Sequence, residues 1–125
     1  MTKIYGEGET EVRALDDVSF SVKKGEFILI VGSSGSGKST LLNMIGLLDK
    51  PTKGRVIIDG QETTNLTDNQ VSAFRNSKLG FVFQFANLLT DLTVLENVLL
   101  PGQIKQNTSL EKKAIELLEK VGMSD

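Results

Sequence analysis

The stretch FILIVGSSGSGKSTLLNMIG, residues 27–46, constrains the fold of this chain more than any other. Residues 27–31 form an unbroken apolar run, as expected of a strand buried on both faces of a parallel sheet. Seven of the nine residues from Gly32 to Thr40 are Gly or Ser. Leu41, Leu42, Ile45 and Leu48 then follow helical spacing. The least packable residues of the chain therefore sit between two core-forming segments. Within them lies G-x-x-x-x-G-K-[ST], as Gly32, Gly37, Lys38 and Ser39. That spacing between a strand and a helix is the P-loop, or Walker A, pattern at 32–39. Missing side chains let the backbone wrap a phosphate, and the helix N-terminus adds partial positive charge. Gly32, Ser33, Ser34, Gly35, Ser36, Gly37, Lys38, Ser39 and Thr40 are thus the candidate phosphate cradle. Lys38 is expected to reach the β- and γ-phosphates and Ser39 to be a Mg²⁺ ligand. A flexible Gly/Ser linker explains neither the Lys, the spacing nor the flanks. A chance match is of order one in several hundred at a Gly frequency of about 7%.

Composition narrows the alternatives. The chain has 125 residues, net charge −2, 39% hydrophobic residues, no Cys and no His. That suits about one small domain with a packed core. It excludes disulfides and thiolate metal sites, and near-neutral charge argues against a nucleic-acid binder. No apolar run approaches the roughly 18 residues of a membrane span.

Along the chain, 12–22 reads as strand, turn, strand, with Val18, Phe20 and Val22 alternating with Ser19 and Ser21. Val56, Ile57 and Ile58 form a short strand closed by Asp59-Gly60. An apolar strand ending in Asp resembles a Mg²⁺-binding Walker B segment, but Asp-Gly is a hairpin signal and Asp59 reads as a turn residue. Thr67 with Gln70, Thr93 with Glu96 and Thr108 with Glu111 fit capping boxes. Residues 79–83 read as a strand. The helix after Thr93 is expected to end at Pro101, and 102–109 is the linker candidate. Leu110, Ala114, Ile115, Leu118 and Val121 make the stripe of a last helix, with Gly122 as its C′ residue.

Taken together, KIYGEGETEVRALDDVSF, the P-loop stretch, LGFVFQFANLL and LTVLENVLLP resemble the ATP-binding subunit of ABC transporters over essentially the whole chain. GLLDKPTKG and FQFANLL are similar to the branch serving macrolide, antimicrobial-peptide and lipoprotein export. The resemblance implies an α/β P-loop NTPase of ABC type, present in part. Its parts would be an antiparallel β-subdomain, the Walker A strand-loop-helix, the Q-loop strand and the start of the helical subdomain. Residues 1–88 would form the partial ATP-binding core and 89–125 the helical part. It also implies ATP and Mg²⁺ as cofactors, Tyr5 stacking on adenine, Thr40 adding a hydroxyl to the phosphates, and Gln84 as the Q-loop residue near Mg²⁺ and the attacking water. Taken alone, Tyr5 reads as a partly exposed residue near a terminus and Gln84 as the polar end of a strand. Residues 85–90 would face a membrane permease, although Phe85, Leu88 and Leu89 are equally readable as core. A second ATP-binding subunit would join head to tail, and the assembly would lie at the cytoplasmic face of the membrane. No nucleic acid is expected as partner.

The family pattern continues with an LSGGQ signature, a Walker B strand with its catalytic Glu, and a switch His, none of which occurs in these 125 residues. The expectation is an N-terminal fragment, deficient in hydrolysis on its own, whose core face lies open or pairs with another chain. The rivals are a P-loop nucleotide kinase of guanylate kinase type and a non-catalytic nucleotide-sensing module.

Overall fold

The computed structural model describes residues 1–105 and 109–123. The chain divides into two compact units, Met1–Arg75 and Asn76–Asp125. The first unit is built on two hairpins, one whole helix and most of a second. Strand β1 (Lys3–Tyr5) pairs antiparallel with β2 (Val12–Leu15) across a 3₁₀ turn at Gly8–Thr10. The N-terminal segment is fixed on both sides. Val18 donates its N–H to the Met1 carbonyl at 2.9 Å, and Thr2 donates to the Lys53 carbonyl at 2.8 Å.

Strand β3 (Ile57–Ile58) pairs with β4 (Gln61–Glu62). Between them Asp59 and Gly60 have φ of 53° and 78°. Two positive φ values are what a two-residue type I′ turn requires, and Asp-Gly supplies them at low cost. Asp59 is therefore a turn residue, as its sequence setting suggested. Helix α1 (Lys38–Ile45) stops at Gly46, and α2 (Asp68–Lys78) starts from the expected box. There the Thr67 N–H donates to Gln70 Oε1 at 2.9 Å, and the Gln70 N–H to Thr67 Oγ1 at 3.4 Å. Leu15, Met44, Leu47, Val56, Val71 and Phe74 form the core of this unit. The buried Thr63 hydroxyl donates to the Val56 carbonyl at 3.0 Å, so its burial carries no unpaired polar group.

In the second unit α3 (Val94–Ile104) packs on α4 (Glu111–Lys120). The Thr93–Glu96 box forms, with the Glu96 carboxylate accepting the Thr93 N–H at 2.7 Å and hydroxyl at 2.8 Å. Those two bonds, the backbone one first, hold the Glu96 carboxyl below its ordinary range. Helix α4 closes in a Schellman motif: Met123 N–H to the Leu118 carbonyl, Gly122 N–H to the Glu119 carbonyl, and Gly122 at φ 78°.

Several local expectations are corrected. Helix α3 continues through Pro101 to Ile104, so 102–104 are helical and not linker. Proline removes one helical hydrogen bond, at a cost of about 3 kcal/mol in a free helix. Here the N-terminal box and the packing on α4 hold both sides of it. Val121 caps α4 from outside its last turn, and the residue at its N-cap is Leu110, whose side chain accepts no bond. Thr108 lies outside the described residues. Segments 18–22, 27–31 and 79–83 form no ladder among the described residues. Most of their side chains are open: Phe27 is 92% exposed and Val82 fully so. The stacked rings of Phe81 and Phe83, 5.4 Å apart, still show the shared face of residues two apart in an extended chain.

Candidate nucleotide site

The loop before α1 turns back on itself through two left-handed glycines. Gly35 and Gly37 have φ of 79° and 85°. Gly37 is the N-cap of α1, and the first intrahelical bond is Leu41 N–H to the Gly37 carbonyl at 2.8 Å. That start leaves the N–H groups of Lys38, Ser39 and Thr40 without an intrahelical acceptor. Lys38 turns back over the loop. Its Nζ donates to the carbonyls of Gly32 at 2.9 Å and Ser33 at 2.6 Å, and to Ser36 Oγ at 3.3 Å. Ser36 N–H to the Ser33 carbonyl at 3.3 Å closes the loop on itself.

A cleft of about 300 Å³ opens here, lined among others by Leu15, Val18, Ile30, Ser33, Gly37 and Lys38. The donor set of one ammonium, helix-end N–H groups and hydroxyls suits the oxygens of a phosphate. Ser39 is exposed at the same helix end. No cluster of three or more carboxylate, His or Cys side chains exists among the described residues. A hard cation here would therefore take one serine hydroxyl from the loop and most of its oxygens from elsewhere, which is how Mg²⁺ is commonly held beside phosphates. Gln84 lies in the second unit, exposed at a bend.

Tyr5 sits at the end of β1, 39% exposed. Its hydroxyl donates to Asp49 Oδ2 at 3.0 Å. Lys3, two residues earlier on the same strand face, reaches Asp49 Oδ1 at 2.7 Å and the Lys50 carbonyl at 2.8 Å. Its ammonium lies 4.8 Å from the centroid of the Tyr5 ring. Partial burial, then the hydrogen bond to Asp49, raises the Tyr5 phenol above its ordinary value, and the Thr40 hydroxyl opposes that slightly. At Asp49 desolvation pushes upward, but the hydrogen bonds from Lys3, the Lys50 N–H and Tyr5 outweigh it and the carboxyl titrates low. Nothing in the sequence singled out Lys3 or Asp49.

These shifts predict a pH dependence. A depressed Asp49 contributes stability that is complete above the ordinary Asp range and is lost as pH falls through its lower folded value. A raised Tyr5 contributes stability that is complete below about 10, the ordinary Tyr value, and is lost as pH rises through its higher folded value. Melting temperatures of wild type and Asp49→Asn should differ at neutral pH and converge in acid. A constant difference down to the lowest pH at which the chain folds would remove Asp49 from the linkage.

In the second unit Phe85, Leu88 and Leu89 are 75%, 60% and 52% exposed, and so are not core here. The loop they occupy is held by Asn97. Its Oδ1 accepts the Leu89 N–H at 2.9 Å, and its Nδ2 donates to the carbonyls of Leu89, Leu92 and Thr93.

Residues 15–125 match the family described as ABC transporter. The chain belongs to that family. It is 53% identical, over 98% of its length, to an uncharacterized ABC transporter ATP-binding protein of Thermotoga maritima, and spans 53% of that protein. It is 49% identical over its full length to the macrolide export ATP-binding/permease protein MacB of Aggregatibacter actinomycetemcomitans, of which it spans 20%. The solved dimeric ATP-binding cassette MJ0796, bound to ADP and Pi, matches 94% of the chain at 48% identity with a TM-score of 0.85, and the chain spans 53% of it. The fold is accordingly that of part of an ABC-type P-loop domain. Of that domain, two antiparallel hairpins and the loop and helix at 32–45 are formed among the described residues, while 27–31 pairs with no strand. The kinase reading of the P-loop has no support from these likenesses.

Proposed function

We propose that this chain is the nucleotide-binding part of an ABC transporter ATP-binding subunit, which couples ATP binding and hydrolysis to substrate movement by a membrane permease. The observation that supports this most is the Lys38 ammonium folded over a left-handed glycine loop at a helix N-terminus, in a chain of this family. In this reading Gly32 to Thr40 cradle the phosphates, Lys38 neutralises their charge, Tyr5 stacks on adenine, and Gln84 with Ser39 serves the metal and water side. Bound Mg²⁺ would supply charge neutralisation at the β- and γ-oxygens. Residues 1–88 would act as core and 89–125 as helical subdomain.

Relatives named for macrolide export and for lipoprotein release support an export-type role, including the LolD protein of Bordetella avium at 44% identity. The exposed apolar side chains of 85–90 suit a permease contact, and the dimeric cassette supports a second ATP-binding subunit. No helix among the described residues is long and apolar enough to cross a membrane. In this reading the chain attaches at the cytoplasmic face through a permease, as the MacB and LolD relatives suggest.

The test is a comparison of ligands. Tyr5→Ala should weaken MgATP binding by about 1–3 kcal/mol, the usual worth of base–aromatic stacking. Inorganic triphosphate, which has no base, should be bound almost unchanged. Equal losses for both ligands in calorimetry would remove Tyr5 from the site. Nucleotide binding without turnover in a subunit that carries the remaining family motifs would favour the sensing module instead.

A further inference from the structure

Tyr5 could be a freely turning exposed side chain, and a free ring would lose rotamer entropy each time it stacked on a base. The geometry is otherwise. The ring is held at its tip and along one face by two residues that the phosphate motif does not include. We infer that Asp49 and Lys3 are positioning residues for the base platform: Asp49 fixes the Tyr5 hydroxyl, and Lys3 covers one face of the ring, so that a nucleotide base is offered the opposite face only. This rests on the reading of Tyr5 as the adenine contact.

Three bonds carry it. Asp49 accepts from both Tyr5 and Lys3, one on each carboxylate oxygen, at 3.0 and 2.7 Å. Lys3 is held a second time by the Lys50 carbonyl at 2.8 Å, which keeps its ammonium 4.8 Å from the ring centroid, within the range of a cation–π contact. Lys3 is the less free to swing away because its side chain is only 12% exposed.

Asp49 is itself placed by the end of α1, since its N–H and that of Leu48 both turn back to the Asn43 carbonyl, at 3.3 and 2.9 Å. The same helix carries Gly37 and Lys38 at its other end. Eight helical residues span roughly 12 Å at 1.5 Å per residue. One rigid element therefore fixes the phosphate cradle at its start and the base platform just past its finish.

The experiment uses a property of this sequence. The 125-residue chain has one Tyr and no Trp, so absorbance at 295 nm and intrinsic emission both report Tyr5 alone. MgATP and inorganic triphosphate are titrated into wild type, Asp49→Ala, Tyr5→Phe, Tyr5→Ala and the Asp49→Ala/Tyr5→Phe double variant. Asp49→Ala and Tyr5→Phe should each weaken MgATP about threefold to tenfold, the range for one hydrogen bond, and leave triphosphate within about twofold. The double variant should lose no more than Asp49→Ala alone, because the bond that Tyr5→Phe removes is already gone in that variant.

The phenol ionisation midpoint should fall in Asp49→Ala and rise in Lys3→Met. Opposite shifts cannot come from unfolding, which would carry both variants to the ordinary Tyr value. If Tyr5→Ala loses MgATP selectively while Asp49→Ala does not, the positioning role is overturned and the base platform stands. If Tyr5→Ala shows no selectivity, the platform itself fails. Additive losses in the double variant, or both midpoints moving to the ordinary value, also overturn the role.

Discussion

Lys38→Ala is expected to reduce MgATP affinity at least tenfold. The ammonium is the one cationic side chain of the 32–40 loop, and a charge-assisted bond of this kind contributes roughly 1.5–3 kcal/mol. That ammonium is engaged with two loop carbonyls and a serine hydroxyl. Phosphate oxygens would offer it fully charged acceptors in place of carbonyl dipoles, so the exchange favours binding. The substitution also removes the tie between the two ends of the loop, which adds to the loss by disordering the cradle. The fold should be spared, because the three bonds are solvent-exposed and the core side chains Leu15, Met44 and Leu47 are untouched. Calorimetry with MgATP, beside a far-ultraviolet spectrum unchanged from wild type, checks it. An unaltered dissociation constant would sink the P-loop assignment.

What the sequence discloses and what it withholds divide by the range of the interaction. Capping boxes at Thr67–Gln70 and Thr93–Glu96 are chemistry between residues three apart, and both form. The Asp59-Gly60 turn and the Gly122 cap depend on the φ of one or two residues, and both have the sign expected. The P-loop belongs to the same class, because the loop and the helix N-terminus are contiguous. The apolar runs at 27–31 and 79–83 report a demand for burial, whereas a ladder needs a partner that no local pattern names. Among the described residues that partner is absent, and Phe27, Leu29 and Val31 are exposed. The Tyr5–Asp49 bond joins positions 44 apart in sequence. Periodicity and motif spacing are blind to such a contact, so Asp49 reads as one more acidic loop residue before Pro51. Pro101 shows the converse error. The rule that proline ends a helix is a rule about isolated helices, and tertiary packing carries α3 past it.

The second large effect concerns Gly37. Substitution by Ala should lower both stability and nucleotide affinity, and by more than the same change at Gly35. Both residues have left-handed backbones, at φ 85° and 79°, and that conformation alone costs an L-residue about 1–2 kcal/mol. Their surroundings differ. A methyl group at Gly35 would meet nothing within 4 Å. At Gly37 it would fall 2.5 Å from the Ala14 carbonyl oxygen and 3.3 Å from Leu15 Cδ2. The first of these is backbone in β2, paired to β1, and cannot turn aside as a side chain would. Either β2 moves or the start of α1 moves. Moving α1 carries Lys38 and the N–H groups of the first turn with it. Gly35→Ala should thus shift the urea midpoint by the strain alone. Gly37→Ala should shift it further and weaken MgATP at least about tenfold, the effect of some 1.4 kcal/mol. Gly32 makes a useful third case, since its methyl would press on Ser36 Oγ, a side chain that can rotate. The expected order of damage is Gly37 worst, with Gly32 and Gly35 milder. Equal midpoints and equal affinities for the Gly35 and Gly37 variants would show that the close approach of the loop to β2 plays no part in setting the phosphate cradle.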